Sequence, residues 1–210
     1  MEAETQLRRN AWWDWRVATL ALALMAGPSC GDLTTAGQSP AYLIIENLTA
    51  TDTGGEARNT LESDVVTFGS VLEDMGEVAL RLGLKDPGSS TTPNTPTTNN
   101  YITVTRYQVT FVRADGRNTP GVDVPFPFDG AVTLTVTGGA ASATFTLVRA
   151  QAKLEAPLLA LRGLGGAVVI STIADVTFYG HDQTGTPVSA TGRISVNFAD
   201  WADPEGDTGG

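Results

Sequence analysis

The 210-residue chain has one cysteine, one histidine and few charges, Asp, Glu, Lys and Arg together making 17%. One cysteine excludes an intrachain disulfide, so any folded domain must be held by its core alone. One histidine and one thiol leave no His/Cys set for a zinc site. Basic residues are scarce as well. Only ten Lys and Arg follow residue 30, without a cluster, and the formal net charge is -10. Nucleic acid is therefore not an expected partner, because binding phosphates needs cationic side chains to displace counterions. Long apolar runs are missing too. The longest, Val17 to Gly27 ("VATLALALMAG"), has eleven residues, against about 20 for a membrane-spanning helix.

Thr, Val, Ala, Ser and Gly fill the space instead. Thr and Val suit a pleated, half-buried surface, which points to strands. The roughly 180 residues after Cys30 suffice to bury about 70% of their unfolded surface.

The eleven-residue run follows Arg8, Arg9 and "NAWWDWR" and stops at Pro28. Its length fits the apolar core of a cleavable secretory signal helix. Trp12, Trp13 and Trp15 suit a membrane interface. With Ser29 before Cys30 and "CGD" from it, residues 1 to about 40 resemble a bacterial lipoprotein precursor. Gly27 and Pro28 depart from the leucine and small residue that this class prefers. The resemblance implies a signal peptide over residues 1–29 and a lipid on the Cys30 thiol. It also implies a location in the cell envelope, with the membrane as partner through that anchor. Two or three acyl chains give stable anchoring where one does not. Ordinary cleavage after Ala36 is the alternative. Residues 30–40 then read as a flexible tether reaching at most about 35 Å.

From Ala41 the apolar residues alternate. Val78, Leu80, Leu82 and Leu84 share one face, as do Val132, Leu134 and Val136, and Ile194, Val196 and Phe198. Tyr42 to Ile45 is apolar on both faces, which predicts a more enclosed strand. In "YITVTRYQVTFVR" the parity changes between Val104 and Tyr107, which predicts a β-bulge near Thr105 and Arg106. Gly138-Gly139 and "HDQTGTP" predict tight hairpins. Pro120, Pro125 and Pro127 confine "NTPGVDVPFPF" to an edge or loop. "EAPLLALRG" predicts a short connecting helix with Pro157 at its start and Gly163 at its stop. Residues 52–60 and 86–100 read as long loops, the second disordered-like in composition. Residues 201–210 read as a flexible tail.

The expected fold is all-β: an antiparallel β-sandwich, immunoglobulin-like or fibronectin-like, of 8–9 strands over residues 41–200. Beyond the signal, the resemblance is one of architecture, to bacterial envelope proteins with sandwich folds, and it carries no site residues.

Candidate chemistry is sparse. His181 beside Asp182 lies in a predicted turn, without a nucleophile setting such as G-x-S-x-G, and reads as a solvated turn residue. Glu73, Asp74 and Glu77, or the tail acids Asp200, Asp203, Glu205 and Asp207, could offer oxygens to calcium. Neither set matches the D-x-D-x-D-G loop, and both read as acidic surface. No catalytic residue, cofactor or metal is assigned. The expectation is a lipid-anchored envelope protein whose sandwich binds a protein or glycan, or serves as a structural module. The alternative is a secreted or envelope enzyme with an unrecognised active site.

Overall fold

Nine strands form two sheets in the computed structural model, which describes residues 38–51, 56–201 and 203. The signal, Cys30, most of the tether and the end of the tail lie outside the described residues. The strands are β1 (Ala41–Thr51), β2 (Ala57–Arg58), β3 (Thr60–Asp64), β4 (Asp74–Leu84), β5 (Ile102–Val112), β6 (Phe128–Val136), β7 (Ala141–Val148), β8 (Ile170–Asp182) and β9 (Pro187–Ala199). The only α-helical segment among the described residues is α1 (Ala150–Lys153). No helix there is long and apolar enough to cross a membrane.

The first sheet has the order β2-β1-β4-β7 and the second β3-β9-β8-β5-β6. Setting aside the short β2 and β3, the first, second and fifth strands (β1, β4, β7) share one sheet. The third, sixth and seventh (β5, β8, β9) share the other. That is the immunoglobulin arrangement, with the fourth strand, β6, moved to the edge beside the third. One pair departs from the antiparallel expectation: β3 runs parallel to β9. The residues read as a long loop after β1 supply the reason. Ala57 and Arg58 pair back onto Thr51 and Ala50. This reversal lets β3 start again in the direction of β1 and cover the free edge of β9.

Alternation places the core. Val78, Leu80 and Leu82 of β4 share one buried cluster with Ile194, Val196 and Phe198 of β9 and the inward residues of β5 and β8. Both pairings of β5 shift register between Val104 and Arg106. Thr105 is the extra residue, and the bulge keeps Val104 and Tyr107 both inward while Arg106 faces out. Aromatic rings fill the middle. Tyr107 lies 5.1 Å from Phe145 and Phe145 lies 5.4 Å from Phe178, each pair edge to face. Tyr107 also joins the sheets, its Oη accepting the Thr146 N–H at 3.2 Å.

Two local expectations fail. Gly138-Gly139 does not close a hairpin, because β6 and β7 belong to different sheets and the chain arches between them. Neither glycine takes the positive φ that a tight hairpin turn requires. Tyr42 is not enclosed; it lies on the outer face of the first sheet, its ring spread over Gly83. The expected short connecting helix is present as a 3-10 helix, Leu158–Leu161, with Pro157 just before it. Leu158 and Leu161 do share the buried face.

Candidate functional site

The register aligns the strand ends into two poles. Phe198 at the end of β9 lies opposite Ile170 at the start of β8. Val112 at the end of β5 lies opposite Ile173. In the other sheet, Val148 ends β7 opposite Asp74, which begins β4. A hydrogen bond from Ser63 Oγ to Asp74 Oδ2, 2.6 Å, joins the two sheets at this same pole. The loops here are residues 65–73, 113–127 and 149–169, with the chain beyond Ala199. At the opposite pole lie the start of the domain, residues 85–101 and 137–140, and the β8–β9 turn.

The pole where the chain comes in is polar. Lys85 N–H bonds to the Pro40 carbonyl at 2.9 Å, fixing the incoming chain beside the end of β4. Residues 86–100 contain no apolar residue other than proline. They are exposed, yet they hold their own hydrogen bonds. Asp86 Oδ1 accepts the Gly88 N–H at 3.0 Å, Ser89 and Thr92 pair through their backbones, and Thr97 accepts and donates with Asn100 around a 3-10 turn. The composition that suggested disorder thus builds a compact turn from side-chain-to-backbone bonds. The β8–β9 turn is closed by Asp182. Its Oδ1 accepts from Thr184 N, Thr184 Oγ1 and Thr186 N at 2.9, 2.6 and 3.0 Å. Burial alone would raise the Asp182 carboxyl, but the bonds from Thr184 and Thr186 hold it below its ordinary value. Gly185 turns the corner at φ 88°. His181 stands next to it, exposed, with Nδ1 3.0 Å from the Asp182 carbonyl. It pairs with Pro187 at the end of the strands and faces no carboxylate cluster.

The far pole is apolar. Twelve large hydrophobic residues are exposed among the described residues, and nine of them lie on its loops. Residues 65–73 contribute Phe68, 66% exposed, and Leu72. Residues 113–127 contribute Val122, 67% exposed, and Phe126. Residues 149–169 contribute Leu154, Leu159, Leu164, Val168 and Val169. Met75 and Ile173 lie within four residues of the same strand ends, and Tyr42 alone sits at the polar end.

Beneath these loops is a buried polar set. Lys153 of α1 is 1% exposed, and its Nζ lies 3.1 Å from Asp74 Oδ1 and 3.0 Å from Oδ2. Ser63, fully buried, bonds to the same carboxyl. Burial pushes the Asp74 carboxyl up, against the pull of the Lys153 charge and the two hydrogen bonds. Asp64 next to it accepts from Thr67 Oγ1 at 3.0 Å and from the Trp201 N–H at 3.0 Å. The beginning of the tail is therefore docked rather than frayed. Asp200 takes the Gly163 N–H and Asp203 takes the Phe68 N–H. Trp201 lies against Gly166.

The calcium candidates do not converge. Asp74 is spent on Lys153 and Ser63, Glu73 accepts from Thr146 Oγ1, and Glu77 faces outward on β4. Glu205 and Asp207 lie outside the described residues. No three His, Cys, Asp or Glu side chains among the described residues are placed to hold a metal ion. Shallow clefts lie along the sandwich, one on the second sheet lined by Thr60, Ser171, Ile173 and Asn197, another between β1 and β9 lined by Glu46, Asn59, Thr191 and Arg193. Neither is lined by His181 or by the buried set.

Sequence reading missed the apolar pole and Lys153. A signal was present in "RGLGGAVVI", where apolar residues run without alternation inside a glycine-rich connection. The chain matches no family model and no curated protein.

Proposed function

We propose that the chain is a lipid-anchored cell-envelope protein whose sandwich is a non-catalytic binding module. The polar pole faces the membrane and the apolar pole meets a protein partner. One observation carries this reading: the exposed apolar side chains gather on loops at the pole opposite the incoming chain. Strands of eleven residues set the poles about 35 Å apart. A tether ending at Pro40 therefore leaves the apolar loops projecting outward. Loops held by a rigid scaffold are the usual carriers of binding, and a gathered apolar patch marks an interaction surface.

A protein fits this pole better than a glycan. The exposed side chains are mostly aliphatic, whereas sugars are held by aromatic platforms and convergent polar groups. A non-catalytic role is supported by the separation of the ionisable groups. His181 is at one pole, and Lys153, Asp74 and Ser63 are buried under the other.

Capture from detergent-solubilised membranes with the full chain tests anchoring and partner together. A specific protein retained by wild type, and lost when Leu159, Leu164 and Val169 become serine, is the expected result. Equal retention by both overturns the assignment of the pole. Mass spectrometry of the native N-terminus tests the anchor separately. Acylated Cys30 as the first residue is expected, and unmodified Cys30 within a full-length, membrane-free chain overturns it.

A further inference from the structure

We propose that Lys153 and Asp74 are the substrates of a self-catalysed condensation, and that the mature domain carries an amide bond between Lys153 Nζ and Asp74 Cγ. The inference stands independently of the binding role proposed above.

The structure brings the two groups together. The amine nitrogen sits 3.1 and 3.0 Å from the two carboxyl oxygens that flank Cγ. Lys153 and Ser63 are 1% and 0% exposed, and Asp74 is 8% exposed. Reacting groups held at this separation gain the large effective concentration of an intramolecular reaction. Burial bears on the acid: it pushes the Asp74 carboxyl up, towards the protonated form that the reaction requires, and the nearby Asp64 pushes it the same way.

The step balances without a co-reactant. The Lys153 ammonium gives one proton to Asp74. The free amine attacks Cγ, forming the N–C bond and placing negative charge on Oδ2. Ser63 Oγ, 2.6 Å from Oδ2, donates to that developing charge, the role of an oxyanion donor. The Cγ–Oδ1 bond breaks, and Oδ1 leaves as water with the proton already on it and a second from the nitrogen. One hydrogen stays on the amide, and nothing is oxidised or reduced. Exclusion of bulk water protects the product from hydrolysis.

The bond would tie α1, and with it the apolar residues of 149–169, to the first residue of β4. Such a closure suits an envelope domain that has no disulfide to cross-link it.

Tryptic mapping of the purified full-length protein tests the proposal. An acylated Lys153 is not cleaved. The expected main form is therefore a branched species joining residues 59–81 to residues 150–162, lighter than their sum by one water. The linear peptides 59–81, 150–153 and 154–162 as the main forms overturn it. A Lys153→Arg variant keeps the charge but removes the nucleophilic amine. A water loss persisting in its residues 59–81 overturns the assignment to Lys153. Its absence there, alongside a branched wild type, supports the proposal. The wild-type result stands even if the variant fails to fold.

Discussion

The two poles of the sandwich solve the same problem, capping a double layer of strands, with opposite chemistry. At the polar pole the loops satisfy themselves. Asp182 closes one turn with three bonds to a single oxygen, and residues 86–100 bond mostly to one another. At the apolar pole residues 113–127 also bond among themselves, but the other loops are fastened from below. Lys153 and Asp74 are buried under them, Asp64 takes the Trp201 N–H, Asp200 takes the Gly163 N–H, and the hydrophobic side chains turn outward. Loops stabilised from within need no partner. Loops anchored from beneath are free to spend their outer surface on one.

The largest expected difference between the poles follows from what each buries. Asp74→Ala removes the tie between α1 and β4, ion pair or amide, and leaves Lys153 buried without its partner; for a buried ion pair such a removal costs about 3–5 kcal/mol. Urea unfolding at neutral pH reads this loss directly. A loss below that of Asp182→Ala would reverse the comparison, making the polar pole the better-anchored one.

A second substitution probes the strands that lead to the polar pole. Gly180 stands opposite Val104 beside the bulge, where a Cβ would strike the Thr103 carbonyl oxygen and approach the Val104 Cα at 2.8 Å. Backbone atoms cannot move aside as a side chain can. Gly180→Ala is expected to cost about 1–3 kcal/mol, the usual range for overpacking, again read by urea unfolding. An unchanged midpoint would mean that the bulge relaxes without help.

This bulge marks how far the sequence could be read. Parity between Val104 and Tyr107 foretold it because alternation is a local property, fixed by which face each side chain occupies. The sandwich and its core residues were legible for the same reason. Pairing of β6 with its neighbours was not, since "VTGGAAS" permits a hairpin or an arch, and only the second sheet's need for an edge strand decides between them. Lys153 was hidden for a different reason. A lysine in "AQAKLEAP" looks solvated, and its burial depends on Asp74, 79 residues away. The apolar pole was invisible as a site because five of its residues come from one connection and the others from two further loops. Nothing local says that these meet.

The polar pole should show its own chemistry in acid. The Asp182 carboxyl is held below its ordinary value. Its contribution is therefore complete above the ordinary aspartate range and is lost as pH falls through the lowered folded value. Asp182→Ala is expected to cost about 1–2 kcal/mol at neutral pH through lost turn bonds. Its unfolding midpoint should then fall less steeply than that of wild type on acidification. Parallel acid profiles for the two proteins would show that Asp182 does not supply the pH dependence.

The smallest stability effect is the most informative about function. Leu159, Leu164 and Val169 are between 42 and 45% exposed. Truncating such surface positions changes stability by no more than about 0.5 kcal/mol each. Leu159→Ser, Leu164→Ser and Val169→Ser together should leave the urea midpoint nearly unmoved while abolishing capture of the partner. Thr91→Ala and Thr95→Ala, on the exposed loop at the polar pole, should leave both unmoved. If the threonine variants lose the partner and the serine variants keep it, the poles exchange roles, and the loop that satisfies itself is the one that binds. If the serine variants unfold, these side chains cap the core, and their exposure is incidental. Retained folding with lost capture is the result that separates a binding pole from a merely apolar one.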